Sequence, residues 1–201
     1  MIRGTVQSVL FQNPENGYSV LKLRTEEGEL VTVVGTIPMT IVGERLVIAG
    51  RWGHHPNHGQ QFEAEFLERL MPETKAEIFS FLSSRAVKGI GAKTAEKIVS
   101  RFGASSLDVL ENEPERLTEI PGITEKKARE MSESFRRQSG IRRLIEFLTA
   151  HRLPPELAVR LYRVYGELAQ DALRDDPYLL TDPYFHAEFS LVDAFALELD
   201  V

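Results

Sequence analysis

Lys88-Gly89-Ile90-Gly91-Ala92-Lys93-Thr94-Ala95 and Pro121-Gly122-Ile123-Thr124-Glu125-Lys126-Lys127-Ala128 are two versions of one short pattern. Gly89 aligns with Gly122, and at the same offset of 33 residues Ile90 falls on Ile123, Lys93 on Lys126 and Ala95 on Ala128. Each copy reads as a helix, a tight turn and a second helix. The turn requires glycine because its backbone bends where a Cβ would clash. Ile90 and Ile123 are placed to pin each turn onto its helix pair. The helix that follows begins with unpaired N–H groups and a partial positive charge, which suits a phosphate oxygen. Lys93 and Lys126 stand one turn in and add full charges. Nothing in the pattern can read a base edge, so the contact it implies positions a polymer without reading its sequence.

Two copies in matching register, each followed by lysines, resemble a tandem helix-hairpin-helix module. That resemblance implies non-sequence-specific binding to the DNA backbone. The residues it marks are Lys88, Gly89, Ile90, Gly91, Lys93 and Thr94 in the first copy. In the second they are Gly122, Ile123, Thr124, Lys126 and Lys127. Thr124 stands where the first copy has Gly91. The plainer alternative is an ordinary helical hairpin stopped by glycine, which one copy alone would not exceed.

Outward from this stretch, charge supports the same reading. The chain of 201 residues has a net charge of −6, which argues against DNA if spread evenly. It is not spread evenly: residues 86–103 carry +3 and 124–143 carry +4, the segments that follow the two turns. Residues 1–72 carry −2, 104–123 carry −4 and 144–201 carry −7. Salt screens charge beyond about 10 Å, so the local field at a contact outweighs the sum. The acidic C-terminal third is expected to face away from DNA or to face a protein partner.

Residues 1–71 read as β. Ile2, Gly4, Val6, Ser8 and Leu10 alternate with polar neighbours in a first strand. Asn13-Pro14-Glu15-Asn16-Gly17 is a turn, Tyr18 to Arg24 a second strand and Leu30 to Gly35 a third. Leu46, Ile48, Gly50 and Trp52 share a face of the fourth, and Phe62, Ala64 and Phe66 a face of the fifth. Five strands in so short a span fit an OB-like five-stranded barrel, with a plain antiparallel sheet as the alternative. Trp52, Phe62 and Phe66 are expected in its core. Tyr18, Lys22 and Arg24 share one strand face and are candidates for stacking on a single strand. The three histidines of His54-His55-Pro56-Asn57-His58 sit beside Pro and Gly with no carboxylate at helical spacing. They read as a solvated hairpin turn rather than a zinc site.

From Pro72 the period becomes helical, giving an all-α tandem helix-hairpin-helix region over 72–140. Gly103 ends the helix after the first turn, and Ser105 and Ser106 are candidate caps for the next. The helix after the second turn is expected from about Glu125 to Gln138, with Gly140 as the separator. Residues 141–201 read as a helical region with a degenerate further hairpin, its turn near Ala187 to Ser190, used for packing. Two other chemistries fail. Gly91-Ala92-Lys93-Thr94 lacks the glycines of a nucleotide loop. Lys93 with Asp108 mimics a glycosylase pair, but Asp108 is explained as a first-turn acid on its own helix. No catalytic residue and no metal site are expected. The absence of cysteine excludes disulfides and thiolate zinc. No apolar run is long enough for a membrane and no secretory signal precedes the first strand, so a cytoplasmic protein is expected.

Further motifs extend the resemblance over the whole chain. Gln12 to Leu21, Gly50-Arg51-Trp52, His55-Pro56, Gly59-Gln60-Gln61-Phe62, Arg101-Phe102-Gly103, Tyr165-Gly166 and Asp176-Pro177-Tyr178-Leu179-Leu180 are similar to the N-terminal region of bacterial RecD-like DNA helicases. The resemblance implies a DNA-handling region that precedes two ATP-hydrolysing, 5′ to 3′ motor domains in repair or recombination. ATP and magnesium belong to those motors, and no cofactor is expected in this fragment. The DNA implied is single-stranded or a single/double-strand junction. Two rivals stand beside it: a Holliday-junction-binding protein of the RuvA type, and a protein-docking module of a repair complex.

Overall fold

The computed structural model describes residues 1–13, 17–84 and 86–199. Of the turn expected at 13–17, Pro14, Glu15 and Asn16 lie outside the described residues. Strands β1 (Ile2–Gln12), β2 (Tyr18–Thr25), β3 (Leu30–Thr36), β4 (Arg45–His55) and β5 (Gly59–Leu70) close into a barrel in the order β1-β2-β3-β5-β4. Neighbours are antiparallel except β3 and β5, which meet in parallel at Val33–Phe62 and Val34–Glu63. That closure is the OB arrangement, not the plain sheet. Val6, Leu21, Leu23, Val33, Leu46, Ile48 and Phe62 fill the interior.

Two of the three expected core aromatics are outside. Ala49 pairs with Phe66 and Gly50 with Ala64, so Glu65 is an extra residue in β5. A bulge inverts the in–out alternation beyond it. Phe62 and Ala64 face inward before the bulge and Leu67 after it, which leaves Phe66 51% exposed. Trp52 is 50% exposed and packs edge-on against Phe62 at 5.2 Å, because Phe62 already occupies that end of the barrel. Bulges at Gln7 and Leu10 do the same to β1: Val9 turns to the core and Leu10 to solvent. The three histidines lie at the tip of the β4–β5 hairpin, where His55 pairs with Gly59.

The helices are α1 (Lys75–Ser83), α2 (Ala92–Phe102), α3 (Ser106–Asn112), α4 (Glu125–Ala150), α5 (Leu157–Tyr165), α6 (Ala169–Asp175) and α7 (Phe189–Glu198). Thr74 and Glu77 form a reciprocal capping box at the start of α1. The expected caps at Ser105 and Ser106 are not made. The Ser106 hydroxyl is buried and donates to the Gly103 carbonyl at 2.6 Å in the 3-10 turn before α3. Gly140 does not interrupt α4, which runs through it for 26 residues. Glycine is needed there for close packing: a Cβ would lie 2.3 Å from Tyr162 of α5. What changes near Gly140 is the core. Ala128, Met131 and Phe135 belong to the apolar cluster of α1–α3, and Ile141, Leu144, Ile145 and Leu148 to that of α5–α7.

These two clusters repeat each other at an offset of 63 residues. Ile78, Leu82, Ile90, Ile98, Leu110 and Leu117 are matched by Ile141, Ile145, Leu153, Leu161, Leu173 and Leu180, all buried. Gly103 and Gly166 end α2 and α5 with φ +57 and +58, a left-handed conformation that glycine adopts without a Cβ penalty. The acidic third is thus a second copy of the hairpin pair, beginning within α4. Its first turn lies at His151–Leu153, which the sequence pattern did not reveal. Its second lies near Asp182–His186, earlier than the expected 187–190, with a turn bond from the Phe185 N–H to the Asp182 carbonyl. No helix among the described residues is long and apolar enough to cross a membrane.

A buried ionic cluster holds barrel and helices together. Glu44, just before β4, accepts from Arg69 of β5 at 2.9 Å and pairs with the Arg142 guanidinium of α4 at 3.2 Å. Arg69 also donates to the Pro38 carbonyl, and the Arg142 guanidinium lies 5.1 Å from the Phe81 ring centroid. On the surface, Arg45 of β4 meets Glu77 of α1 at 2.8 Å.

Candidate nucleic-acid interface

The two hairpin turns have one geometry. Gly89 and Gly122 have φ +89 and +92. The Ile90 N–H donates to Val87 O at 3.2 Å, and the Ile123 N–H to Ile120 O at 3.1 Å. Both isoleucines are buried, as the pinning role requires. The first helical bonds are Ala95 N–H to Gly91 O and Ala128 N–H to Thr124 O, each 2.8 Å. The N–H groups ahead of them have no intrahelical acceptor.

The turns sit on each other's helices. In the first, the Lys88 N–H donates to Ser134 Oγ of α4 at 2.9 Å, and Gly89 packs near Met131. In the second, Lys97 of α2 donates to Pro121 O at 3.4 Å. The two therefore share one shallow depression of about 260 Å³, bounded by Gly89, Thr94, Lys97, Gly122, Lys127 and Glu130. Lys93 and Lys126 are exposed on the adjoining helix starts. Their ammonium groups, and that of Lys88, have no hydrogen-bond or ion-pair partner among the described residues. Arg101, by contrast, is neutralised by Glu119. Ser134 and Lys97 complete this surface without belonging to either eight-residue pattern.

The copies differ at Thr124. Gly91 offers no side-chain cap to α2, whereas Thr124 Oγ1 accepts from the Lys127 N–H at 3.3 Å. Lys127 Nζ also reaches the Gly122 carbonyl at 3.4 Å. The first turn is thus the more open donor site. The third and fourth turns carry no lysine at the helix start. Pro154 and Pro155 stand where Gly91 and Ala92 stand in the first copy, so two N–H donors are gone, and Glu156 replaces Lys93. Glu188 sits at the start of α7, where an anion would be repelled.

On the barrel, Tyr18, Lys22 and Arg24 do share the outer face of β2. Tyr18 is 40% exposed. Lys22 Nζ donates to Thr32 Oγ1 at 2.7 Å, and Arg24 to Gly28 O at 3.2 Å, so both cations are held in place. Tyr18 and Lys22 line a concavity of about 480 Å³ together with Phe11, His55, His58 and Gln61. The His55 and His58 rings stack at 4.7 Å. Phe11 was missed because the β1 bulges reset its face, and the histidines because the hairpin curls over that face. Among the described residues no group of three His, Asp or Glu side chains is placed to hold a metal. Asp108 is exposed and bonded to Asn112 at 2.7 Å, on a helix start as expected.

Comparison with known proteins agrees with this partition. Residues 1–72 match the OB-fold domain of the ATP-dependent DNA helicase YrrC. Residues 79–137 match the SAM-like helix-hairpin-helix tandem, and 137–201 the helix-hairpin-helix domain of the ATP-dependent RecD2 DNA helicase. The ATP-dependent RecD2 DNA helicase of Deinococcus radiodurans is 31% identical over 188 residues, which is 90% of this chain and 26% of that protein. The chain spans about a quarter of the length of that relative. The OB-fold and helix-hairpin-helix matches, with 31% identity over 90% of this chain, support its being an N-terminal region of a RecD-like helicase.

Proposed function

We propose that this region anchors an ATP-dependent RecD-like DNA helicase on its substrate by holding the DNA backbone without reading sequence. The observation that carries this is the pair of turns at 88–94 and 122–127. They have matching geometry and face one shared depression, the first helix start is uncapped, and Lys88, Lys93 and Lys126 stand exposed beside them. Lys88, Lys93 and Lys126 supply charge to the phosphates. The helix starts, with Gly89, Gly91 and Gly122 in the turns, supply N–H donors. The concave barrel face at Tyr18 and Lys22 suits a single strand, so the substrate is a single/double-strand junction. The 63-residue copy has proline and glutamate at its helix starts and an acidic surface, which suits a protein partner.

The enzyme would act in DNA repair or recombination in the bacterial cytoplasm. ATP and magnesium would serve motor domains beyond these 201 residues. The test is binding of two unrelated duplex sequences by fluorescence anisotropy over a salt series. Equal affinity within about twofold, falling steeply with salt, is expected. A tenfold preference for one sequence, or no binding at low salt, would overturn the reading.

A further inference from the structure

A groove of about 870 Å³ runs between the barrel, α4 and α5. Gln12 and Gly17 of the barrel, Ser134 and Arg137 of α4, and Arg160 and Arg163 of α5 lie on its walls. Residues 144–201 contain only four arginines and no lysine in a segment of net charge −7. Two of the four enter this groove from one face of α5, at i and i+3. Arg160 Nη1 donates to Phe185 O at 2.8 Å, and Arg163 Nη1 lies 3.5 Å from Tyr184 Oη. Each bond fixes a guanidinium and leaves the rest of its five-donor fork free for other acceptors. Arg137 has no hydrogen-bond or ion-pair partner among the described residues. Among the described residues, Glu156 is the one acid on the wall.

The groove is also continuous with both candidate contact surfaces. At one end Ser134 accepts the Lys88 N–H of the first hairpin turn. At the other it adjoins a depression of about 580 Å³ that shares Pro38, Ile145, Pro155 and Glu156 with it and is lined by Tyr18. Tyr18 in turn lines the barrel concavity.

We propose that this groove carries one DNA strand from the duplex held at the hairpin turns to the outer face of the barrel. Three arginines grip its phosphates, and stacking is left to the barrel because no aromatic side chain among the described residues lines the groove. A space of this size between three bodies takes a few nucleotides of one strand, not a double helix. The hairpin reading enters only in placing the duplex at one end.

The chain has no cysteine, so Val159→Cys puts a single thiol on the groove wall. The probes are a blunt duplex and a tailed duplex carrying a thiol-reactive base, placed in the tail near the junction or within the duplex. Cross-linking from the tail position alone is expected. The Arg137→Ala/Arg163→Ala variant should lower the log–log salt slope on tailed DNA by about 1.4, at about 0.7 per single-strand phosphate contact, and leave the blunt-duplex slope unchanged. Equal cross-linking from duplex positions, or an unchanged slope on tailed DNA with no tail cross-link, would overturn the proposal. If Lys93→Ala/Lys126→Ala leaves duplex binding intact while the tail still cross-links, the hairpin reading fails and the groove stands.

Discussion

Gly122 and Gly140 are both required, for opposite reasons. A Cβ on Gly122 would meet open space, but φ +92 is a conformation that L residues resist. Gly122→Ala is expected to cost about 1–2 kcal/mol by urea denaturation and to weaken duplex binding with it. Gly140 lies within a regular helix, and there the obstacle is the Tyr162 ring. Gly140→Ala should cost about 1–3 kcal/mol by forcing α5 off α4, with duplex binding unchanged. Unaltered stability in that variant would contradict the packing assigned to it. Glu146 offers a pH-dependent case. Burial pushes its carboxyl up, against the pull of Arg69 and Arg142 and with the help of Glu44 and Glu68. A raised folded-state value means that its contribution is fully present below the ordinary carboxylate pKa and is lost as pH rises through the raised one. Because the Glu146 side chain is itself exposed on α4 and water screens much of the effect, Glu146→Gln should raise the melting temperature only slightly at neutral pH, with the gain vanishing in acid. A gain that instead grows as pH falls would contradict the burial argument.

At the scale of elements, the Glu44 cluster decides how barrel and helices are joined. Its carboxylate is almost wholly buried and serves two arginines from two different elements. Glu44→Gln keeps the shape and removes the charge, leaving Arg69 and Arg142 buried against each other. Breaking such a cluster costs about 3–5 kcal/mol. The expected outcome is a urea midpoint lowered accordingly; a loss below 1 kcal/mol would show that the cluster is not what joins them. Nothing at Glu44, Arg69 or Arg142 announces this in the sequence, because the three come together only when strand and helix cross. The strands and the two hairpin turns were legible, since alternation and the Gly-Ile pair are local. The faces of Trp52, Phe66 and Leu10 were not. A bulge is one extra residue whose pairing depends on the neighbouring strand, and it flips every side chain after it. The turn at His151–Leu153 escaped for a different reason: Arg152 adopts φ +58 there, so the glycine that marks the other two turns is absent.

Across the whole molecule, charge separates what the repeated fold would otherwise make equivalent. Both halves of the helical region share one architecture at an offset of 63 residues. Only the first half keeps glycine and lysine at its helix starts, while the second has Pro154, Pro155, Glu156 and Glu188. The net charge of −6 is therefore compatible with DNA contact, because Lys88, Lys93 and Lys126 stand exposed beside the N–H groups of the first two turns. The most direct test of that claim is the salt dependence of duplex binding by the intact chain and by Lys93→Ala/Lys126→Ala. The log–log slope is expected to fall by roughly two, at about 0.9 for each lost phosphate contact. A slope unchanged in the double variant would contradict it.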